Sequence, residues 1–362
     1  MGFRCGIVGL PNVGKSTLFN ALTSSDTADA ANYPFCTIEP NVGSINVPDA
    51  RLVALAEIEG SQKLIPTRIE FVDIAGLVKG ASEGAGLGNK FLGHIREVDA
   101  IVYVLRCFDN NDIVHVEGRV DPVADAEILL IELTLADLES LQKRLPNMEK
   151  KAKQDREIAG QVDLIKKLIE KMTNGEDIKS IIAEESEKDI KMLNLLTTKP
   201  CFYVCNVAEG DLATGNQYVR AVEKFAGANR CVIISAQIES EISSLADENE
   251  KQEFLQAMGM DESGLNKIVR YGYDILGLTT FFTIGPKEAH AWTIKKGSLA
   301  PQAAGEIHTD FEKGFICAEI TNCKDYIELG GEAKAKEAGK TRLEGREYII
   351  QDGDIAHFRF NR

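Results

Sequence analysis

Residues 9–17, with the sequence GLPNVGKST, decide the fold of the amino-terminal part of this chain. They match the pattern G-x-x-x-x-G-K-[ST], between an apolar run at residues 3–8 that is typical of a buried strand and a helical run at residues 17–22. The glycines let the backbone wrap a polyphosphate, whose oxygens meet loop amides and the positive end of the helix. The pattern predicts Lys15 on the β and γ phosphates and Ser16 on magnesium. The sequence therefore predicts a nucleoside triphosphate site.

Composition limits the class of protein. At 362 residues the chain exceeds one ordinary domain of ~150 residues, and its 44% hydrophobic and 27% charged residues are typical of a globular protein. The net charge of −15 argues against broad electrostatic capture of nucleic acid, so no DNA specificity is expected. No apolar run is long enough for a membrane span, and the start of the chain does not resemble a signal peptide. A cytoplasmic protein without membrane association is predicted.

Short apolar runs recur along the chain with helical stretches between them. They lie at residues 3–8, 69–72, 100–105, 202–205 and 231–234. Each is followed by a polar or glycine-containing loop, a pattern that predicts an α/β fold with a mostly parallel sheet and ligand loops at the carboxyl ends of the strands. We assign residues 1–120 and 197–278 to this nucleotide-binding domain.

Residues 121–196 are rich in Leu, Ile, Lys and Glu and predict an inserted helical arm of coiled-coil form. A first helix carries Leu residues at helical spacing between 135 and 145, and a second covers residues 162–172, with Leu164, Leu168 and Met172 on one face. Pro146 is expected to end or kink the first helix. Residues 143–171 hold nine Lys or Arg against five Asp or Glu, which fits either a solvated face or a patch that contacts RNA.

Residues 279–362 form a third unit. Apolar alternation at residues 281–284, 289–293, 315–320, 348–350 and 355–358, separated by glycine turns, predicts a small β-rich domain of about five strands. Basic and aromatic residues here would suit an RNA face, although aromatic residues at these spacings also fit a core. The residues concerned are Lys295, Lys296, Arg342, Arg346, Tyr326, Phe311 and Phe315.

Two loops after the first helix indicate a nucleotide switch. Thr37 lies in the proline-bounded stretch NYPFCTIEP at residues 32–40, where its hydroxyl could complete a magnesium shell. In FVDIAG at residues 71–76, Asp73 ends a strand and could hold the metal through water, while the amide of Gly76 could sense the γ phosphate. Together these loops disfavour a small-molecule P-loop kinase.

Two further strand ends fit a base-reading role. Residues 204–209, VCNVAE, end a strand at Asn206, and residues 234–236, ISA, end the next strand in a small polar pair. Switch GTPases read the base at these places with Asn-Lys-x-Asp and Ser-Ala-x. The predicted base contacts are Asn206, Val207, Glu209, Ser235 and Ala236.

The chain resembles translation-factor-related GTPases and is closely similar to the YchF family, the Obg-like ATPases. The resemblance covers nearly the full length and rests on residues 9–17, 32–40 and 73–78, on the inserted arm, and on IHTDFEKGFI at residues 307–316. It implies a P-loop domain of the type found in GTPases, followed at residues 279–362 by a domain similar to a β-grasp TGS domain.

The resemblance implies hydrolysis of ATP in preference to GTP, and the base loop offers a reason. The Lys and Asp of Asn-Lys-x-Asp are here Val207 and Glu209, and the longer Glu displaces the paired acceptors that bind guanine. A Glu can still accept hydrogen bonds from guanine, so weaker use of GTP stays open. The predicted phosphate-loop contacts are Asn12, Val13, Gly14, Lys15, Ser16 and Thr17, and the predicted magnesium ligands are Ser16, Thr37 and Asp73.

Hydrolysis is expected to be slow, because Leu77 stands where Ras-like enzymes have a water-orienting glutamine. The resemblance offers His115 as the catalytic group beside Lys15, although a solvated loop histidine fits equally, and His94 is a weaker candidate on a helix. Asn12 matches the asparagine by which some related GTPases bind K⁺ near the phosphates, although it could simply shape the loop.

The resemblance also implies association with the ribosome or its RNA. Two functions remain open at this point. The first is a switch ATPase that docks on the ribosome with Mg²⁺ and, as a further cation, K⁺. The alternative is a GTP-dependent nucleic-acid-binding assembly or signalling factor in which hydrolysis is incidental.

Overall fold

The computed structural model describes residues 3–24, 41–74, 87–110, 118–176, 178–245 and 247–361. The strands in these ranges are β1 (Arg4–Val8), β2 (Asn41–Asn46), β3 (Leu64–Ile65), β4 (Arg68–Asp73), β5 (Ala100–Arg106), β6 (Cys201–Asn206), β7 (Cys231–Ile234), β8 (Leu278–Ile284), β9 (Ala289–Lys295), β10 (Phe315–Asn322), β11 (Arg342–Glu344) and β12 (Asp354–Phe360). The helices are α1 (Lys15–Ser24), α2 (Ala50–Glu59), α3 (Leu87–Glu97), α4 (Pro122–Ala152), α5 (Arg156–Thr173), α6 (Lys179–Glu184), α7 (Glu187–Leu193), α8 (Gln217–Ala226), α9 (Ala236–Ser244), α10 (Glu248–Ala257), α11 (Gly264–Ile275), α12 (Ala300–Ile307), α13 (Thr309–Lys313), α14 (Cys323–Leu329) and α15 (Glu332–Glu337).

The first sheet has the order β2-β4-β1-β5-β6-β7. All neighbours are parallel except β2, which pairs antiparallel with β4 at one edge. The five predicted strands are present, and the predicted α/β fold with a mostly parallel sheet is confirmed. Strand β2 escaped prediction because its sequence, NVGSIN, is polar and contains glycine, so pairing with β4 supplies what intrinsic strand preference does not.

The core of this domain lies around the central strands. All seven residues of β5 are buried, as expected for a parallel strand with neighbours on both sides. Helices α1, α3, α4, α8 and α11 contact the strands of this sheet. The arrangement brings the carboxyl ends of β1, β4, β5 and β6 to one edge, where the predicted ligand loops begin.

The inserted arm is built on two long helices, α4 and α5, that pack on each other. Leu164, Leu168 and Met172 are buried, so the predicted apolar face of α5 is confirmed. Of the two effects expected of Pro146, the end of the first helix is wrong, because α4 continues to Ala152 with Pro146 inside it. A kink at this position stays a prediction. Proline removes one backbone donor, and Gln142, four residues earlier, is exposed, so its carbonyl can bond water instead. None of the helices in the described ranges, the arm included, is both long and apolar enough to cross a membrane.

The second sheet has the order β11-β10-β12-β8-β9-β3. Strands β8 and β9 form an antiparallel hairpin, β12 runs parallel to β8, and β10 pairs antiparallel with β12, which is the β-grasp arrangement. The predicted strand at residues 348–350 is wrong, since Ile349 makes only an isolated bridge to Leu299. Of the aromatic residues proposed for an RNA face, Phe315 and Tyr326 are buried, which supports the core alternative for them.

Part of the amino-terminal chain packs on the second sheet. Helix α2 places Leu55, which is fully buried, in one cluster with Phe282 and Tyr326. Strand β3 pairs parallel with β9, and the guanidinium of Arg51 contacts the carboxylate of Asp352 at 2.6 Å. The β-grasp sheet is therefore joined to the connection between β2 and β4. The domain limits given above stay a prediction.

Candidate functional site

The glycine-rich loop lies between β1 and α1, at the edge where the parallel strands end. Asn12 and Gly14 have positive φ angles of 64° and 93°, a region that asparagine tolerates and glycine favours. Gly9 approaches the neighbouring strand so closely that a Cβ there would lie 2.7 Å from the carbonyl oxygen of Val104. The N–H of Leu18 donates to the carbonyl of Gly14 at 2.9 Å, so helix α1 starts directly from the loop. The first amides of α1 consequently face the ligand edge.

Lys15 and Asp73 form an ion pair at this edge. Their side chains are 11% and 14% exposed, so the pair is largely screened from solvent and yet reachable. Asp73 is held at the end of β4 by pairing with β1, where it lies opposite Ile7. The structure thus brings together two predicted site residues that are 58 positions apart.

Asn206, at the end of β6, links three segments of the site. Its side-chain amide donates to the carbonyl oxygen of Val13 at 2.9 Å, and its side-chain oxygen accepts from the N–H of Ala236 at 2.9 Å. The residue is 4% exposed, and a Cβ on Gly14 would collide with its amide nitrogen. One buried side chain therefore fixes the phosphate loop against the start of α9.

The other predicted base contacts differ in exposure. Val207 is buried, and its N–H donates to the carbonyl of Ile234 at 2.8 Å, so this amide is bonded to β7. Ser235, also buried, precedes α9 as its N-cap residue. Glu209 is exposed and begins a short 3₁₀ helix, Glu209–Asp211. Among these residues, Glu209 thus has the carboxylate that is free to move toward a ligand.

The buried carboxyl group of Glu239, in the first turns of α9, links this helix to the start of α11. Glu239 accepts from the N–H groups of Gly264 and Leu265 at 2.7 and 3.2 Å and so caps helix α11. Burial raises the pKa of this carboxyl, and the two backbone hydrogen bonds lower it only in part. The Ser235-Ala236 segment consequently rests on a helix that is anchored to α11.

Several predicted site residues cannot be compared with the structure. Thr37, Gly76, Leu77 and His115 lie outside the described residues. Ser16 and Thr17 are exposed in the first turn of α1, beside the Lys15 and Asp73 pair. His94 lies on α3, as predicted, and no group of three or more potential metal-binding side chains is found within the described ranges.

The loop after β5, residues 107–110, lies at the same edge, and although the sequence predicted a ligand loop there, none of its side chains was named as a site residue. The N–H of Cys107 donates to the carbonyl of Asn206 at 2.8 Å. Arg106, at the end of β5, is 1% exposed and donates to two carbonyl oxygens of this loop. The sequence signal for this loop is Arg106, a charged residue that directly follows the six apolar residues 100–105.

Comparison with known proteins gives matches over the whole chain. A family model described as "50S ribosome-binding GTPase" matches residues 4–131, and the carboxyl-terminal YchF GTPase model, described as a protein of unknown function, matches residues 278–361. The protein of Haemophilus influenzae called "Ribosome-binding ATPase YchF" is 54% identical over 365 residues, with 100% of both chains covered. The chain belongs to the YchF family.

Other members agree with this assignment. The YchF protein of Bacillus subtilis is 51% identical over 367 residues, again with 100% of both chains covered. The solved structure of the Schizosaccharomyces pombe YchF GTPase has a TM-score of 0.86 at 38% identity and covers 99% of this chain and 98% of its own. Membership of the YchF family, inferred from the motifs, is confirmed, as is the predicted fold.

Proposed function

We propose that this chain is a nucleotide-dependent switch that hydrolyses ATP, and GTP less well, and associates with the ribosome or ribosomal RNA. The observation that carries the proposal is the phosphate loop joined to Asp73 by Lys15 and to the base segment by Asn206. It occurs in a chain that is 54% identical over its full length to a protein called "Ribosome-binding ATPase YchF". A cytoplasmic location follows from the proposed partner.

Lys15 and the loop amides would hold the phosphates. The ammonium group of Lys15 now contacts the carboxylate of Asp73, and an incoming γ phosphate would take the ammonium over while the positive φ angles at Asn12 and Gly14 turn the loop around it. Val13, Ser16 and Thr17 would add backbone or hydroxyl contacts. Binding thus replaces one ion pair with several charge-assisted hydrogen bonds.

The residues at this edge suit Mg²⁺. The ion prefers oxygen ligands, and the hydroxyl of Ser16 and the carboxylate of Asp73 provide them, with Thr37 as a further ligand. The carboxylate of Asp73 already accepts a cation, Lys15, beside it, so positive charge is tolerated there. When bound, the ion would neutralise charge on the β and γ phosphates. Asn12 is the residue that would bring K⁺ to the same phosphates.

Base discrimination would rest on Asn206, Glu209 and the Ser235-Ala236 segment. Glu209 is exposed, so its carboxylate can approach the base, but it extends one methylene further than the Asp that suits guanine. Val207 is buried in the core, so it would not cover the base as a Lys would. A guanine donor left without an acceptor costs binding energy, which favours ATP.

Hydrolysis would depend on a group other than a glutamine, because Leu77 cannot orient water. We assign this part to His115, with Lys15 stabilising charge on the phosphates in the transition state. Replacement of His115 by Ala should lower kcat while the affinity for ADP stays within about twofold. An equal loss of kcat and ADP affinity would instead indicate a binding role.

Competition between ATP and GTP tests the nucleotide preference. Measured side by side with Mg²⁺ and K⁺, kcat/KM should be larger for ATP than for GTP, and Lys15→Ala should abolish binding of both. The double variant Val207→Lys, Glu209→Asp should shift preference toward GTP. Equal or better use of GTP by the parent chain would favour the GTP-dependent factor, an alternative supported by the name "YchF GTPase" of the Schizosaccharomyces pombe protein.

Sedimentation with intact ribosomes tests the partner. The chain should co-sediment more strongly with a nonhydrolysable ATP analogue than with ADP, and Lys15→Ala should lose this difference. Binding that ignores the nucleotide would contradict a switch, and no binding in any nucleotide state would contradict ribosome association. Mixed-sequence RNA in the same assay separates a ribosomal surface from general affinity for RNA.

A further inference from the structure

The loop at residues 107–110 occupies a central place at the edge where the parallel strands end. Strand β5 lies between β1, which leads into the phosphate loop, and β6, which ends at Asn206. Arg106 is paired with Asn206 across the sheet, and the next residue, Cys107, donates its N–H to the carbonyl of Asn206 at 2.8 Å. Ligands of open α/β sheets bind outside the carboxyl ends of the strands. The loop therefore stands beside the residue that starts the base-reading segment.

Arg106, the last residue of β5, binds the backbone of this loop. Its Nε donates to the carbonyl of Phe108 at 3.1 Å and its Nη2 to the carbonyl of Asn110 at 3.0 Å. The guanidinium carbon also lies 4.9 Å from the centre of the Phe108 ring. The fork of an arginine can serve two carbonyls in a fixed geometry, whereas the point charge of a lysine cannot. A charge that is 1% exposed is costly to bury, so these contacts constrain the loop strongly.

Two residues at the start of helix α8 also bind this loop. Asn216, its N-cap residue, donates from Nδ2 to the carbonyl of Cys107 at 2.7 Å and to the carboxylate of Asp211 at 2.8 Å. The hydroxyl of Tyr218 donates to the carboxylate of Asp109 at 2.9 Å, and this contact raises the pKa of the phenol. Asp211 closes the 3₁₀ helix that begins at Glu209. The residues of α8 that bind the loop, Asn216 and Tyr218, thus follow the predicted base-reading residue Glu209 within ten positions of sequence.

We propose that Arg106 and Tyr218 are positioning residues for nucleotide specificity. They keep the loop at residues 107–110 in a fixed position relative to residues 206–211, so that the space for the base between them has a fixed width. Adenine and guanine differ in their hydrogen-bonding edges, and a wall that can shift by a few tenths of an ångström can accommodate either. The inference rests on the proposed function, because it names residues that set the preference of that same site for ATP.

Two conservative variants test this role. Arg106→Lys keeps the charge but loses the two-carbonyl fork, and Tyr218→Phe removes only the hydroxyl that bonds Asp109. We expect each to lower the ratio of kcat/KM for ATP to kcat/KM for GTP by about threefold to tenfold. The double variant should lower it by less than the product of the single effects, because both side chains hold one loop.

Matched controls separate this role from a general loss of structure. Arg144→Lys removes an arginine bond to the carbonyl of Leu193 in the arm, and Tyr271→Phe removes a phenol hydroxyl from α11. Both should leave the ratio unchanged. A structural role alone would lower kcat/KM for ATP and GTP by the same factor, together with Tm. An equal loss for both nucleotides would overturn the inference, and so would a parent chain that hydrolyses ATP and GTP equally well. A parent chain that hydrolyses neither nucleotide would overturn the proposed function instead.

Discussion

The side-chain amide of Asn206 is hydrogen bonded to the carbonyl oxygen of Val13, at 2.9 Å, across 193 positions of sequence. The same side chain accepts from the N–H of Ala236. One buried side chain therefore holds the glycine-rich loop, the end of β6 and the start of α9 in one arrangement, which reduces the ordering that a ligand bound between them would require.

Replacing Asn206 by Ala should weaken both stability and binding. Two buried hydrogen bonds would be lost, which corresponds to about 1–3 kcal/mol in the free energy of unfolding. Nucleotide affinity should fall by more than about tenfold, because the phosphate loop is no longer fixed to α9. Urea denaturation and ADP titration measure the two effects. Asn174→Ala changes an exposed asparagine at the carboxyl end of α5 and serves as the control, and equal effects of both variants would contradict this account.

Replacing Gly14 by Ala should distort the phosphate loop. The residue has a φ of 93°, and an added Cβ would collide with the amide of Asn206. Strain of this kind costs about 1–3 kcal/mol and should sharply lower affinity for ATP. Gly93→Ala is the matched control, since Gly93 lies within α3 with open space around it and alanine favours the helix. Unchanged ATP binding by the Gly14 variant would contradict the predicted strain.

The pH dependence of stability should carry a contribution from Glu239. Burial raises its folded-state pKa, so the folded protein keeps this proton over a range in which the unfolded chain has released it. The resulting stabilisation is fully present below the unfolded-state pKa of about 4.3 and is lost as pH rises through the folded-state value. The parent should therefore lose stability relative to Glu239→Gln as the pH rises above about 4, the unfolded-state pKa.

Urea denaturation across this range measures the difference. Glu241→Gln, which changes an exposed carboxyl on the same helix, should show no comparable slope relative to the parent. A constant difference between the parent chain and Glu239→Gln at every pH would show that Glu239 acts only through its hydrogen bonds.

Replacing Leu55 by Ala should destabilise the β-grasp sheet although the residue lies in the amino-terminal part of the chain. Leu55 is fully buried with Phe282 and Tyr326, and a buried leucine truncated to alanine typically costs about 2–5 kcal/mol. Limited proteolysis should then cut first within residues 278–361. Val53→Ala, on the same helix but 48% exposed, is the control. First cleavage elsewhere would contradict the packing of α2 on this sheet.

Much of the fold could be predicted because its signals are local. The apolar runs that became β1, β4, β5, β6 and β7 are short, bounded by loops and separated by helical stretches, which is the pattern of a parallel sheet. The turns and alternation of the carboxyl-terminal part likewise indicated its β-rich nature. Pro146 does not end α4, which was one of the two effects expected of it, because a local breaking tendency of about 3 kcal/mol is outweighed by packing along the arm.

The candidate site could be predicted in its parts but not in its connections. A motif names Lys15, and a strand end suggests Asp73, but only pairing of β1 with β4 brings them into contact. The loop at residues 107–110 carries no motif, and its position depends on hydrogen bonds from residues far along the chain.

The sequence by itself determined which chemical groups this protein can offer to a nucleotide, because glycine spacing, the lysine and the strand-to-helix context act over a few residues. Tertiary structure alone decided how those groups are joined. Asn206 reaches Val13, Arg106 fixes the loop beside it, and α2 packs on the β-grasp sheet. Such contacts arise from burial and hydrogen bonding between distant segments, which no local pattern encodes.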